Sequence, residues 1–209
     1  NKTGTQNTVL STDGSGNNTL NANTIKDGSA TKTLAEYSSS AWSWGSGVPT
    51  GSCLQLKSTT KTDVTSTSGL SVDTLADITG MSVVMTPKTT TSKFFVTFNV
   101  FVGVNTGDTI TFQLKRDTTD IAKGDDGGGY QCTAESIRFT GDQKYSMYNV
   151  SHSFLDDPTL SDLSNITYKL QWVNLYSTTT VYLNRSYDRL AAADRGDCVS
   201  TISVMEIAG

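Results

Sequence analysis

The chain has little charge, few prolines and cysteines, and a single histidine. Charged residues make up 17% of the 209 residues, and the net charge at pH 7 is −4; a soluble domain usually has about a quarter of its residues charged. The lysines and arginines are scattered, whereas a nucleic-acid partner requires them in clusters. No apolar run approaches the roughly 18 residues of a membrane span. We therefore expect neither nucleic-acid binding nor membrane insertion.

The few cysteines and the lone histidine argue against a bound metal or cofactor. Cys53, Cys132 and Cys198 are far apart in the sequence and form no Cys-x-x-Cys pair, and an odd number leaves at least one free thiol. We expect free, partly buried thiols, which suit assembly in a reducing cytoplasm. His152 alone cannot supply a histidine-based zinc site within one chain. We predict that His152 packs in the core or at an interface.

Serine, threonine and glycine are abundant. Threonine favours strands because its branched Cβ suits a pleated sheet, and the 18 glycines, together with serine and asparagine, favour turns. A cytoplasmic enzyme of this size would normally carry more glutamate, lysine and alanine in helices. The composition is typical of an all-β protein of the extracellular or virion type.

Residues 1–50 are almost entirely polar. Their few apolar residues are spaced too widely for one face of a helix or of a strand, so burial within the segment cannot offset its ordering entropy. We predict an extended N-terminal arm that becomes ordered against other chains and attaches the protein to them. Its candidate interface residues are the isolated apolar and aromatic ones, Ile25, Leu34, Trp42 and Trp44.

The rest of the chain shows the two-residue alternation of strands. In the strongest run, residues 93–104, every second residue from Val96 to Val104 is apolar. Phe95 and Phe101 fall on the opposite side, which predicts a strand buried on both faces. The run in residues 53–60 predicts a strand with Leu54 and Leu56 on one face.

Further alternating runs continue to the C-terminus and define the fold class. Residues 105–108 have a tight-turn sequence, so residues 93–104 and the run that follows, with Ile110, Phe112 and Leu114 inward, are predicted to form a hairpin. Eight to ten short strands joined by turns predict a jelly-roll-like β-sandwich head over residues 51–209, preceded by the arm of residues 1–50.

The glycine-rich segment GDDGGG, residues 124–129, has two interpretations. Asp125 and Asp126 can offer oxygens to a Ca²⁺ ion, but the spaced acids and terminal glutamate of a calcium loop are missing. A surface loop is the simpler interpretation. The segment has no strand–loop–helix context and so does not predict a phosphate-binding loop.

The candidate residues for acid–base catalysis are a few carboxylates. A glycosidase needs two of them flanking its substrate, and the acids available are Asp156, Asp157, Glu135 and Glu206. The pair before Pro158 is better explained as a turn, and no G-x-S-x-G nucleophile elbow is present. We predict no catalytic residue, no metal, no cofactor and no enzyme activity, and a glycan depolymerase is a remote alternative.

Four tyrosines lie at or near predicted loops, where binding sites of a rigid sandwich are usually built. Sugar-binding surfaces stack rings on aromatic side chains and add polar hydrogen-bonding groups. The candidate glycan contacts are therefore Tyr130, Tyr145, Tyr176 and Tyr187. The alternative is that these tyrosines only cover the ends of strands.

Several stretches resemble fibre-like virion proteins of marine and freshwater bacteriophages, especially cyanophages. The segment TLNANTIKDGSATKTLA, residues 19–35, resembles a region near the start of those proteins, and TVYLNRSY, residues 180–187, with STISVMEIAG, residues 200–209, resembles their end. Three stretches between them fit the same pattern: LQLKSTTKTDV, DITGMSVVMTPKTTTSKFFV and ITYKLQW.

The resemblance implies a structural virion protein, such as a tail or neck fibre, that forms a homotrimer. Its partners would be further copies of itself and, through the arm, a portal, neck, tail or capsid protein, with a host-surface glycan as a further ligand. It would be assembled in the cytoplasm of the bacterial host and carried on the virion. A capsid-decorating protein, either cement or head fibre, is the alternative within the same class.

Overall fold

The structure is a computed structural model of the chain. Residues 48–70, 72, 74–104, 109–125, 127–136, 138, 144–175, 179–188 and 196–209 are described, with the side chains of residues 69 and 70 excepted, and residues 1–47 are described only where their backbone forms strands. The chain divides into two units, Asn1–Ser52 and Cys53–Gly209. No α-helix occurs among the described residues.

Five short strands are described in the first unit. They are β1 (Leu10–Thr12), β2 (Asn18–Leu20), β3 (Thr24–Lys26), β4 (Thr33–Ser38) and β5 (Ala41–Trp44). β1 pairs with β2, and β3, β4 and β5 form a three-stranded sheet.

This local pairing was not predicted from the sequence. In its register Ile25 lies opposite Ala35, and Ala35 lies opposite Trp44. Antiparallel pairing requires only backbone hydrogen bonds, so polar, threonine-rich segments can form it without an apolar face. The side chains of the predicted interface residues, Ile25, Leu34, Trp42 and Trp44, lie outside the described residues.

The second unit is built from the remaining strands. They are β6 (Cys53–Lys61), β7 (Thr65–Leu70), β8 (Ala76–Met85), β9 (Lys93–Val104), β10 (Ile110–Arg116), β11 (Thr119–Ile121), β12 (Ala134–Glu135), β13 (Tyr148–Asp156), β14 (Ile166–Asn174), β15 (Thr179–Leu183) and β16 (Ser200–Ile207). Their pairings are all antiparallel.

These strands form two packed sheets with the strand order of a jelly roll. One sheet runs β13–β9–β16–β6, with β15 also paired to β9 and β7 paired to β15; the other runs β8–β14–β10–β11, with β12 also paired to β10. Along the chain, successive strands alternate between the sheets, with three exceptions: β6 and β7 share the first sheet, β10, β11 and β12 share the second, and β15 and β16 share the first. This alternation is the double Greek key of a jelly roll. The predicted fold class, an all-β, jelly-roll-like sandwich, is confirmed.

The core is formed by the inward-facing residues of both sheets. Every second residue of β9 from Val96 to Val104 is buried, as are Ile166, Tyr168, Leu170 and Trp172 of β14. Alternation predicts these positions because side chains on a strand point to opposite faces.

The predicted hairpin between β9 and β10 is wrong. The two strands belong to different sheets, and β10 pairs with β14 instead. Both strands present an apolar face, and these two faces cover each other when the chain crosses from one sheet to the other. Residues 105–108, the predicted turn, lie outside the described residues.

Two predictions about strand faces are also corrected. In β6, Leu54 is buried but Leu56 is 60% exposed, because a bulge pairs Cys53 with Ile207 and Gln55 with Glu206 and so leaves Leu54 without a partner. An unpaired bulge residue reverses the faces of the residues that follow. In β9, Phe95 is 36% exposed, so this strand is not buried on both faces within the described chain.

The segment Asn184–Tyr187 forms a corner that joins several strands. Asn184 is buried with a φ of 67°, a left-handed conformation that asparagine tolerates better than most residues. Its Nδ2 donates to the backbone oxygens of Lys61 and Asp63, and its Oδ1 accepts from Ser200 Oγ at 2.6 Å. A Cβ on Gly103 would collide with the backbone of this corner, so glycine is required there. The motif LNRSY is thus explained by packing.

Candidate functional site

A cavity of about 330 Å³ lies beside Tyr130, one of the four predicted glycan contacts. It is on the outer side of the second sheet, between the start of β8, the β10–β11 hairpin and the loop that follows β11. Its lining residues are Leu75, Gln113, Asp120, Lys123, Gly129, Tyr130 and Gln131. The volume is at the lower end of ligand-binding pockets, about 300–1,000 Å³.

Gln113 forms the polar floor of this pocket. It points away from the core, as predicted, but it is almost fully buried, because the segment around Thr133 runs beside β10. Its Nε2 donates to the backbone oxygens of Leu114 at 2.8 Å and Ile121 at 2.9 Å. None of the described residues donates a hydrogen bond to Gln113 Oε1, so this oxygen is the atom that can accept one from a ligand.

Two side chains of opposite charge line the pocket. Asp120 Oδ1 lies 2.8 Å from Lys115 Nζ, and Asp120 Oδ2 lies 3.8 Å from Lys123 Nζ. The second distance is too long for a hydrogen bond, so the ammonium group of Lys123 is attracted to the carboxylate without donating to it. Lys123 can therefore donate to another acceptor in the pocket.

The pocket is partly open to solvent, and the glycine-rich loop contributes Gly129 to its wall. Tyr130 is 38% exposed, and a Cβ placed on Gly129 would meet no atom within 4 Å. The same is true of Gly127, which belongs to the same loop but does not line the pocket. A ligand can thus approach the Tyr130 ring from solvent.

Two of the other candidate tyrosines are brought close together at a different place. The amide of Asp188 donates to the backbone oxygen of Lys144 at 3.0 Å, which joins the segments that carry Tyr145 and Tyr187. Lys144 Nζ lies 4.9 Å from the centroid of the Tyr145 ring. Hydrogen bonding to Tyr145 and to Asp188 raises the pKa of Lys144, so its charge is held against that ring.

Tyr187 is already engaged within the chain. Its ring meets that of Tyr182 edge-on, with centroids 5.8 Å apart, and Arg185 stacks 4.1 Å from the centroid of Tyr182. Tyr145 and Tyr187 therefore fit the alternative interpretation, in which tyrosines cover the ends of strands. Tyr176 lies outside the described residues. Among the three candidates that the structure describes, Tyr130 lines a cavity.

His152 lines a second cavity of about 330 Å³, together with Cys132. Its predicted packing in the core is not observed: it is exposed, because β13 is the edge strand of its sheet, and its ring lies 6.2 Å from that of Phe98. Burial, and then the charge of Glu135, raise the pKa of the Cys132 thiol, which disfavours the nucleophilic thiolate. Cys53, Cys132 and Cys198 are all free thiols, and Cys53 is exposed.

Two of the candidate carboxylates are buried in separate networks. Asp156 accepts hydrogen bonds from Arg116 Nη1 at 2.6 and 2.7 Å and from Tyr168 Oη at 2.8 Å. Glu206 accepts from the Lys88 amide and from Ser92 Oγ, each at 2.5 Å. Phe94 lies between the two acids in the sheet register.

The other two candidate carboxylates are exposed. Asp157 pairs with Lys93 at 2.7 Å, and Glu135 lies in the short strand β12. The buried Asp156 and Glu206 hold the fold together through hydrogen bonds and are shielded from a substrate.

The outer face of the first sheet carries an exposed apolar row that the sequence analysis did not identify. Met205 is paired with Leu56 on one side and with Phe95 on the other, and Phe95 is paired with Leu155. Leu56 is 60% and Leu155 49% exposed. We call these four side chains the outer row. The sequence signal for it was an apolar residue at a polar-face position in three strands, at Phe95, Leu155 and Met205, whereas Leu56 faces outward only because of the bulge in β6.

Other kinds of site are not found among the described residues. No group of three or more histidine, cysteine, aspartate or glutamate side chains is positioned to hold a metal ion within the described part of the chain. Asp126, one of the two acids proposed for Ca²⁺, lies outside it. No helix of the described residues is long and apolar enough to cross a membrane.

No protein-family model matches the chain, and no curated protein matches its sequence. Function is therefore inferred from the chemistry and the geometry of the chain itself.

Proposed function

We propose that the protein is a structural component of a bacteriophage virion, a homotrimeric fibre or appendage. Residues 1–50 would attach it to a portal, neck, tail or capsid protein, and the β-sandwich would project as a head that contacts the host surface. It would be assembled in the host cytoplasm, where free thiols persist, and would act on the virion. The proposal assigns the chain no catalytic role.

The structural observation that supports an assembly is the outer row, whereas the virion role rests on the resemblance of residues 19–35, 180–187 and 200–209. Contiguous exposed apolar patches are uncommon on monomers and mark interaction surfaces. Four neighbouring strands, about 4.8 Å apart, present the row continuously. A monomer would leave these side chains in water, and a partner subunit would bury them.

The surroundings of the outer row favour further copies of the same chain as that partner. The adjacent outward row consists of hydroxyl side chains, Ser58, Ser203, Thr97 and Ser153. Two residues along β9 from Phe95 and beyond Leu155, Lys93 and Asp157 form an ion pair at 2.7 Å. Like charges therefore do not oppose the approach of identical faces, and three copies can close around one axis.

A capsid-decorating protein is the second candidate, because an uncharged sheet face can also pack on capsid subunits. The two candidates differ in their place on the particle. Gold-labelled antibody against the head should label the neck or tail of negatively stained virions if the protein is a fibre. Labelling of the capsid facets would support decoration, and virions without label would contradict both.

The oligomeric state is tested in solution. Light scattering of the purified chain should give three times the monomer mass of 22.4 kDa, because burial of three outer rows stabilises the trimer. A monomeric mass at micromolar concentration would contradict the trimer.

A further inference from the structure

We infer that the pocket beside Tyr130 binds one uncharged pyranose ring of a glycan. A pyranose presents a flat apolar face of C–H groups and a rim of hydroxyls, each of which can donate and accept hydrogen bonds. A matching site needs an accessible aromatic ring, a mixture of donors and acceptors around it, and little net charge. The pocket combines these three features.

The aromatic surface is Tyr130. Its ring is 38% exposed and belongs to the wall of a cavity of about 330 Å³. This space is small among ligand pockets, about 300–1,000 Å³, so it suits a single ring better than several. The open side beside Gly129 leaves room for the rest of a longer glycan to continue into solvent.

The polar groups around that ring cover both hydrogen-bonding roles. Gln113 Oε1 and the Asp120 carboxylate accept, Lys123 Nζ donates, and Gln131 offers both. Gln113 is held by two backbone contacts through its Nε2, so its acceptor is preorganised. Preorganised polar groups give a small pocket its specificity because little ordering is needed on binding.

The charges that line the pocket favour a neutral sugar. Asp120 and Lys123 are of opposite sign, and their charged groups lie 3.8 Å apart. Lys115 does not line the pocket and forms a shorter ion pair with Asp120, at 2.8 Å. A carboxylated or sulfated ring would meet Lys123 but would also place a like charge beside Asp120, so the two lining charges give it no net attraction. Neutral hydroxyls can bridge the acid and the ammonium without that cost.

The inference deepens the proposed function, because it names the site through which the head would bind a host glycan. The biological role of the pocket rests on that proposed function. Sugar binding itself does not require the trimer. A chain that binds sugar as a monomer would contradict the proposed assembly and leave the pocket assignment in place. A trimer that binds no sugar would contradict the pocket assignment and leave the proposed assembly in place.

The test uses the full-length chain and saturation-transfer NMR. The probes are the methyl glycosides of glucose, galactose, mannose and N-acetylglucosamine, together with glucuronate as a charged sugar. We expect at least one neutral glycoside to bind. Gly129→Leu, which adds a side chain at the wall of the pocket, should weaken that binding about tenfold or more, the scale of losing one strong contact.

The matched control is Gly127→Leu, because both glycines have open space around them and only Gly129 lines the pocket. This variant should bind within about twofold of the wild type, and Tyr130→Phe, which keeps the ring, should bind far better than Tyr130→Ala. Equal binding by Gly129→Leu and wild type, equal loss in both leucine variants, binding of glucuronate alone, or no binding of any probe would overturn the inference.

Discussion

Asp156 is the residue at which the two sheets are tied together by charge. It belongs to β13 of one sheet, whereas Arg116 and Tyr168, which bond to it, belong to β10 and β14 of the other. A buried carboxylate is costly unless it is paired and hydrogen-bonded. Removing one of these three side chains therefore leaves the others buried with a lost hydrogen bond or an unpaired charge, which destabilises the fold.

The same cluster makes stability depend on alkaline pH. Burial, and then the charge and the hydrogen bond of Asp156, raise the pKa of Tyr168 far above its usual value of 10.0. The folded chain keeps this proton, and the unfolded chain releases it above pH 10. The contribution is thus fully present below pH 10 and is lost as the pH rises further.

Tyr168→Phe should separate these two effects. At pH 7 it should lower the free energy of unfolding by about 1.5 kcal/mol, the scale of a hydrogen bond to a charged group. Above pH 10 the wild type should lose about 1.4 kcal/mol per pH unit through Tyr168, and the variant should not. The difference between the two proteins should therefore shrink as the pH rises, which urea unfolding at pH 7, 10 and 11 measures.

Tyr182→Phe is the control for this experiment, since it keeps the ring that contacts Tyr187 and Arg185 and leaves Tyr168 in place. Its stability should follow the wild-type curve over the whole pH range. Parallel curves for Tyr168→Phe and wild type above pH 10 would show that the Tyr168 proton is not retained in the folded chain.

At the scale of elements, one face of the first sheet packs in the core, and the opposite face carries the exposed outer row. Alternation predicted the buried face of β9, and it also placed Phe95 opposite that face. It did not predict that Met205 and Leu155 would flank Phe95. The outer row is continuous because of the register between strands that lie far apart in the sequence.

The outer row is tested by Leu155→Lys. A lysine in a packed interface must either be desolvated or force the subunits apart, so the mass measured by light scattering should fall towards that of the monomer. The far-ultraviolet circular dichroism should remain that of wild type, because Leu155 is 49% exposed in the single chain.

Leu163→Lys provides the comparison. Leu163 is 45% exposed, much like Leu155, but it lies outside the strands and the outer row. We expect the trimer to survive this change. If both lysine variants keep the wild-type mass, the outer row is not the subunit interface.

At the scale of the whole molecule, the chain consists of two units. The unit of residues 53–209 has its own core, in which both sheets bury large side chains such as Trp172 and Phe94. In the first unit, the described residues are the strands β1 to β5, which pair among themselves, and residues 48–52. A head with its own core should fold without the arm.

Deletion of residues 1–45 should leave a folded and soluble head. Its circular dichroism should keep the signature of a β-protein, and its thermal unfolding should remain cooperative. In a complementation assay the truncated protein should no longer be incorporated into virions, because the attachment segment is missing. Loss of the folded signal on deletion would contradict this division of roles.

The sequence alone determined the class of structure and most of the core. A two-residue period is a local property of the chain, so alternation is enough to place Val96, Tyr168 and Trp172 inside. The tertiary structure decided what depends on distant partners: the assignment of β9 and β10 to different sheets, the bulge that turns Leu56 outward, and the buried carboxylates.

The candidate site shows the same division. Exposed loop tyrosines could be named from the sequence, but only the fold separated Tyr130 from Tyr145 and Tyr187. Gln113 and Asp120 come from a hairpin, and Gly129 from the loop beyond it, so their convergence depends on how that loop folds back over the sheet. Local patterns specify which residues are buried, and packing between remote segments specifies which side chains meet.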